Sequence, residues 1–156
     1  MVYRLVVLIS AVIFTAGVAI ANEELEPKKP RVPKEDMSKA KALKNSIEAT
    51  PANISKGKEL FEGKGTCINC HGKEGNGEGP AAAALPIKPR NFTDCKWHKK
   101  RTDGEMFWVI KNGSKGPNDS PRDTPMVPLI PSAITEEEAW TIINYERSFC
   151  KKGAGD

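Results

Sequence analysis

Apolar side chains recur along this chain in two ways. After Arg4 they form a block without charge, residues 5–21, which is 17 consecutive positions. Farther on they recur three and four positions apart, the period of a helix with one buried face. Ile54, Gly57, Leu60 and Phe61 share one side of a helix expected to begin at an Asn53 N-cap and run to about Glu62. Thr102 with Glu105 has capping-box spacing ahead of Met106, Phe107 and Ile110, and Asn112-Gly113 stops that helix. Thr135 with Glu138 repeats the device, with Ile134 and Ala139 placed as a hydrophobic staple. The helix that follows carries Ala139, Trp140, Ile143 and Tyr145 and ends near Cys150, where Lys151 and Lys152 suit the negative end of its dipole. A short helix is expected over 80–85 and loop over 86–89, while Ser114 to Pro131 is too rich in Pro, Asp and Ser for helix or strand. No stretch alternates convincingly between apolar and polar, so the fold class is all-α.

The first block reads as an export signal, because Ala19-Ile20-Ala21 supplies a small-x-small cleavage site before the charged segment at Asn22. Cleavage after Ala21 yields a soluble exported protein, whereas an uncleaved block is just long enough to anchor the chain in a membrane. Either outcome puts the remainder outside the cytoplasm, and a periplasmic location is expected. Residues 22–50 are dense in Lys, Glu and Pro, with hardly any large apolar side chains. Such a segment buries too little surface to offset its ordering entropy, so a flexible tether with a few helical turns around Ser38 to Leu43 is expected. The folded domain then spans 51–152, and 153–156 is a disordered tail.

Charge narrows the partners. Lys and Arg total 24 against 20 Asp and Glu, a formal charge of +4. That excess is too mild and too interspersed for nucleic acid, although it permits docking on an acidic protein. Its densest patch is Lys96, Lys99, Lys100 and Arg101.

Chemistry concentrates in Thr66-Cys67-Ile68-Asn69-Cys70-His71-Gly72. Two thiols three positions apart can each close a thioether to a porphyrin vinyl group, with the adjoining imidazole held beneath the iron. One such motif implies one covalent haem c. Three rivals stand beside that reading. Zinc would need a second ligand pair, and only Cys95, Cys150 and His98 remain. A redox dithiol would need a βαβ setting, and a plain Cys67–Cys70 disulfide would leave His71 without a role. A haem would also thicken the thin core of so small a domain.

His71 is the expected proximal ligand, its other ring nitrogen donating to a carbonyl, for which Pro80 is the candidate. Met126 lies 55 positions downstream in Asp123-Thr124-Pro125-Met126-Val127-Pro128. A thioether in a proline-framed loop is suited to the sixth iron position and favours the ferrous state. Met106, on the apolar face of a helix, is expected in the core, and His98, among basic neighbours, in a solvated loop. Cys95 and Cys150 are expected to pair in an oxidising compartment.

Cys67-x-x-Cys70-His71, the glycine-rich run from Gly72 to Pro80, Ile110-Lys111-Asn112-Gly113-Ser114-Lys115-Gly116, Pro125-Met126 and the closing amphipathic helix come in an order that resembles the small monohaem class I cytochromes c of bacteria. The resemblance covers about Ile54 to Phe149. It implies the cytochrome c fold, three to five helices around one covalent haem, with Gly57 and Phe61 meeting Trp140 and Tyr145 where the first and last helices cross. It also implies His71 and Met126 as axial ligands and Arg90, Trp97 and Asn112 as contacts of the haem propionates. The implied role is a one-electron carrier between redox proteins rather than an enzyme. A haem-bearing subunit of a larger membrane or periplasmic oxidoreductase is the alternative.

Overall fold

The computed structural model of the chain describes residues 30–114 and 124–150. The expected signal or anchor block, the tether up to residue 29, loop residues 115–123, Lys151, Lys152 and the tail lie outside them. Six α-helices and one 3-10 turn are present among the described residues, and no strand. They are α1 (Met37–Ala42), α2 (Pro51–Glu62), α3 (Ile68–His71), the turn Ala82–Ala84, α4 (Cys95–Lys100), α5 (Asp103–Asn112) and α6 (Glu136–Ser148).

The long helices start where side chains satisfy their orphan amides. In α5, Thr102 Oγ1 accepts from the Glu105 amide at 3.2 Å, and the Thr102 amide donates to Glu105 Oε2 at 2.8 Å. Thr135 and Glu138 repeat both bonds at the head of α6. The expected Asn53 cap of α2 is corrected. Thr50 caps the helix, its Oγ1 accepting from the Asn53 amide at 3.2 Å, because Pro51 lacks an amide proton and has the φ of a first helical position.

Helix α2 packs on α6 more extensively than any other helix pair. Gly57 makes the close approach possible, since a Cβ there would strike the Thr141 carbonyl oxygen and come within 2.9 Å of Tyr145 Cβ. Phe61, fully buried, lies edge-on to Tyr145 at 5.4 Å and to Phe149 at 5.8 Å. The expected partner Trp140 faces elsewhere and stacks on Phe107 of α5 at 4.1 Å. Every residue of α6 from Ala139 to Tyr145 is buried, as is Glu146, which is how a helix covered on all sides must read.

One side is covered by the segment 30–50, expected to be part of a tether and here a packed strap. Val32 and Ala40 are buried, and a Cβ on Gly104 would strike the Ala40 carbonyl oxygen. Asn45 Nδ2 donates to the Trp140 carbonyl at 3.1 Å and to Asn144 Oδ1 at 2.9 Å, and Asn144 Nδ2 returns a bond to the Ile47 carbonyl at 3.0 Å. The strap docks through small residues and amide bonds, which a count of large apolar side chains does not register.

The end of α6 is fixed to the middle of the chain. Cys95 and Cys150 form the expected disulfide. Beside it, Arg147 donates to Asp103 Oδ1 at 2.8 Å and to the carbonyls of His98 at 2.9 Å and Arg101 at 2.6 Å. Residues 95–100, where the sequence suggested no helix, form α4, capped by Asp94 Oδ1 on the Lys96 amide at 2.9 Å.

Candidate haem-binding site

The link Gly63-Lys64-Gly65 folds tightly back on α2, with the Gly65 amide donating to the Leu60 carbonyl at 2.7 Å. Thr66 then turns the chain with φ of 51°, and one helical turn follows. The amides of Cys70 and His71 both reach the Cys67 carbonyl, at 3.2 and 2.8 Å. Residues three and four apart in a helical turn share a face, so both thiols and the imidazole point the same way. Both thiols are free and half-buried, and burial pushes the Cys67 thiol well up.

His71 Nδ1 donates to the carbonyl of Arg90 at 2.9 Å. The ring of Phe92 stacks on the imidazole at 4.5 Å. The expected acceptor, Pro80, is corrected by this bond. The glycine-rich run folds back on α3, with the Ala81 amide on the Asn69 carbonyl at 2.8 Å and Pro80 left exposed. Residues 89–92 pass beneath the imidazole instead, held there by the Phe92 amide on the Gly75 carbonyl at 2.6 Å. Burial lowers the His71 pKa to about 4, so the imidazole is neutral at pH 7. With Nδ1 committed, Nε2 is the nitrogen left to bind a metal.

Cys67, Cys70 and His71 form part of the wall of a cavity of about 190 Å³. A second wall comes from α5 and the segment after it, including Met106, Ile110, Met126 and Leu129. The main chain around Met126 is pinned to α5, since its carbonyl accepts from the Ser114 amide at 3.0 Å and the Leu129 amide donates to the Ile110 carbonyl at 2.9 Å. Val127 next to it is 55% exposed. Met106 is both a core residue, as expected, and a wall of the cavity.

Arg90 and Trp97 also line the cavity, the guanidinium 5.5 Å from the indole centroid. Asn112 does not. It is exposed and donates to the Trp108 carbonyl at 2.9 Å, because two helical positions past Ile110 turn it about 200° away from the cavity side. His98, expected in a solvated loop, is buried and lies outside the cavity wall. Its Nε2 donates to the Phe92 carbonyl at 2.6 Å, and Arg147 approaches its Nδ1 at 3.1 Å.

Several cavity residues escaped the sequence reading. Arg31 and Val32 come from the strap, and nothing in the local pattern marked them. Arg101 points inward and pairs with Glu105 at 4.0 Å. Burial lowers the Arg101 pKa and Glu105 opposes that shift. Glu146 lies four positions after Ile142 and three after Ile143, on the face the helical period assigned to the core, so its position was legible and its charge was the anomaly. Burial pushes its carboxyl up to about 8, with Arg147 pulling down and Asp103 adding to the rise. Three guanidinium groups thus border a mostly apolar cavity, a setting for a flat apolar group with anionic substituents.

The donor set fits haem c: two thiols one turn apart, a neutral imidazole oriented by a backbone carbonyl, a thioether and aromatic walls. Zinc does not fit, since Cys95 and Cys150 are bonded to each other.

Comparison with known proteins agrees. The family model for cytochrome c matches residues 54–148, more than half of the chain. No curated protein matches. Among solved structures the chain is similar to one from the Kuenenia stuttgartiensis reducing HAO-like protein complex Kustc0457/Kustc0458, at 27% identity and a TM-score of 0.57 over 70% of this chain. This chain spans 50% of that one. It is also similar to the KustC0563 c-type cytochrome, at 27% identity and a TM-score of 0.45 over 61% of this chain and 98% of that one. A third is cytochrome CL from Methylophaga aminisulfidivorans, at 20% identity and a TM-score of 0.44 over 83% of this chain and 71% of that one. From its cavity to its matched residues, the chain belongs to the cytochrome c family and binds haem c covalently.

Proposed function

We propose that the chain is a one-electron carrier outside the cytoplasm, with Cys67 and Cys70 as thioether anchors and His71 and Met126 as axial ligands. The observation that carries this reading is one cavity bordered by both a carbonyl-oriented imidazole and a thioether on a pinned backbone. Haem iron supplies the exchangeable electron. The chain's residues hold the haem, keep the imidazole neutral and exclude water. Arg90 and Trp97 contact the propionates, joined by Arg31 and Arg101. With both axial positions filled, the protein needs no substrate pocket and no acid or base.

The test is spectroscopic. The oxidised protein is expected to be low-spin with the weak far-red band of methionine ligation. Met126→Ala abolishes that band, while His98→Ala and Met106→Leu retain it. Loss in His98→Ala or Met106→Leu instead, or rapid carbon monoxide binding by the reduced wild type, sinks the assignment.

A second reading is a haem subunit of a larger oxidoreductase. It is supported by the similarity to a chain of the Kuenenia stuttgartiensis reducing HAO-like protein complex, of which this chain spans 50%. Residues 1–21 then serve either as a cleaved signal or as an anchor. Among the described residues no helix is long and apolar enough to cross a membrane. N-terminal sequencing of the mature protein, with its partition between membrane and soluble fractions and its native mass, separates carrier from subunit.

A further inference from the structure

Glu146 is the one acidic side chain on the buried stretch of α6, and its placement is hard to explain by folding. It lies one turn after Ile142, and both residues line the cavity. That row of α6 faces the link into the haem anchor, where a Cβ on Gly65 would sit 3.2 Å from Ile142 Cδ1 and 3.1 Å from Cys67 Sγ. The Glu146 carboxylate is near enough to Cys67 to add to the rise of its thiol pKa, behind the larger effect of burial. The residue is only 5% exposed, yet no hydrogen bond joins its carboxyl to any described residue. A carboxyl kept for structure would be bonded or paired at that depth.

The charged groups around it do not neutralise it. On its own helix Arg147 is engaged by Asp103 and by the carbonyls of His98 and Arg101. From α5, Asp103 repels a charge on Glu146, and Glu105 is paired with Arg101. His71 on α3 is neutral at pH 7, and Arg31 and Arg90, which line the same cavity, are not among the charges that shift the Glu146 carboxyl. The nearest charge that changes in the working protein is therefore that of the haem.

We propose that Glu146 exchanges a proton with solvent in step with the electron carried by the haem. The proposal rests on the cytochrome reading but not on Met126 as ligand. Reduction brings one electron from the donor protein and removes one positive charge from the cavity, which disfavours a neighbouring carboxylate. One proton then adds to a Glu146 carboxylate oxygen, and oxidation releases both. Linkage fixes the sign: the carboxyl pKa is higher in the reduced protein than in the oxidised one. Between those two values the reduction equilibrium changes tenfold per pH unit, about 59 mV for one electron. Burial already holds this carboxyl well above the usual carboxylate range, so the window is displaced upward from that range.

The experiment is a spectroelectrochemical titration of the holoprotein from about pH 5 to pH 10, a range that brackets a strongly raised carboxyl, in wild type, Glu146→Gln and Glu146→Asp. Wild type is expected to lose potential as pH rises through the window, Glu146→Gln to be flat across it, and Glu146→Asp to keep the slope with a displaced window. The far-red band, followed in parallel, reports iron ligation separately, so a ligation defect is not mistaken for loss of coupling. Redox-difference infrared spectra of the wild type alone are expected to gain a protonated-carboxyl band on reduction, a readout that survives if the glutamine variant does not take up haem. Identical pH curves in wild type and Glu146→Gln, a flat wild-type curve, or no such infrared band overturns the proposal.

Discussion

His98 is held as one tautomer by its neighbours. Nε2–H donates to the Phe92 carbonyl, and Nδ1 accepts from Arg147. Protonation would put a second N–H against a guanidinium, and burial, then Arg147, lower the pKa below 6.5. The folded state therefore binds this proton less well than the unfolded state. Stability is full above about pH 6.5 and falls as pH drops below that value. Thermal melts across that range are expected to show the decline, and His98→Gln, which cannot charge, to show a smaller one. Arg147→Ala removes charge-assisted bonds to Asp103, His98 and Arg101 at once, and a loss of about 2–3 kcal/mol is expected by denaturant titration. The haem anchors were legible because thiols and imidazole at positions one, four and five of one turn are a local arrangement. The carbonyl under His71 was not, since that bond depends on where residues 89–92 return, 19 positions later.

At the scale of elements, both capping boxes read correctly because the reciprocal bonds involve four consecutive residues. Thr135→Ala is expected to cost about 1 kcal/mol, measured as a shift in denaturant midpoint. Helix α4 was missed, its six residues being dominated by Lys and masked by their charge, with only Trp97 and His98 turned inward beside Cys95. The strap was missed for the opposite reason, having almost nothing large to bury. Its seat is Gly104, where Gly104→Ala places a methyl against the Ala40 carbonyl. A loss of about 1–3 kcal/mol is expected, with faster proteolysis between residues 30 and 50 as the confirming observation. The disulfide spans 55 positions, and replacing both Cys95 and Cys150 with Ala is expected to lower stability by about 4 kcal/mol.

The whole molecule presents a modest positive charge of +4. Of the patch read in the sequence, Lys96, Lys99 and Lys100 are exposed while Arg101 turns into the cavity. Docking on an acidic redox partner is expected to slow as salt rises, with bimolecular electron-transfer rates falling between low and physiological ionic strength. Rates independent of salt would exclude this surface.

The family match runs from 54 to 148, whereas the strap lies before it and Cys150 beyond it. A cassette cut at the matched limits would uncover the Ala40 and Asn45 seats on α5 and α6 and leave Cys95 without its bonded mate. A segment moved into another redox protein therefore has to carry the strap and Cys150 along with the matched core, and grafts made at the narrower boundary are expected to express a haem module that is porous at one edge and prone to cross-linking through its orphaned thiol.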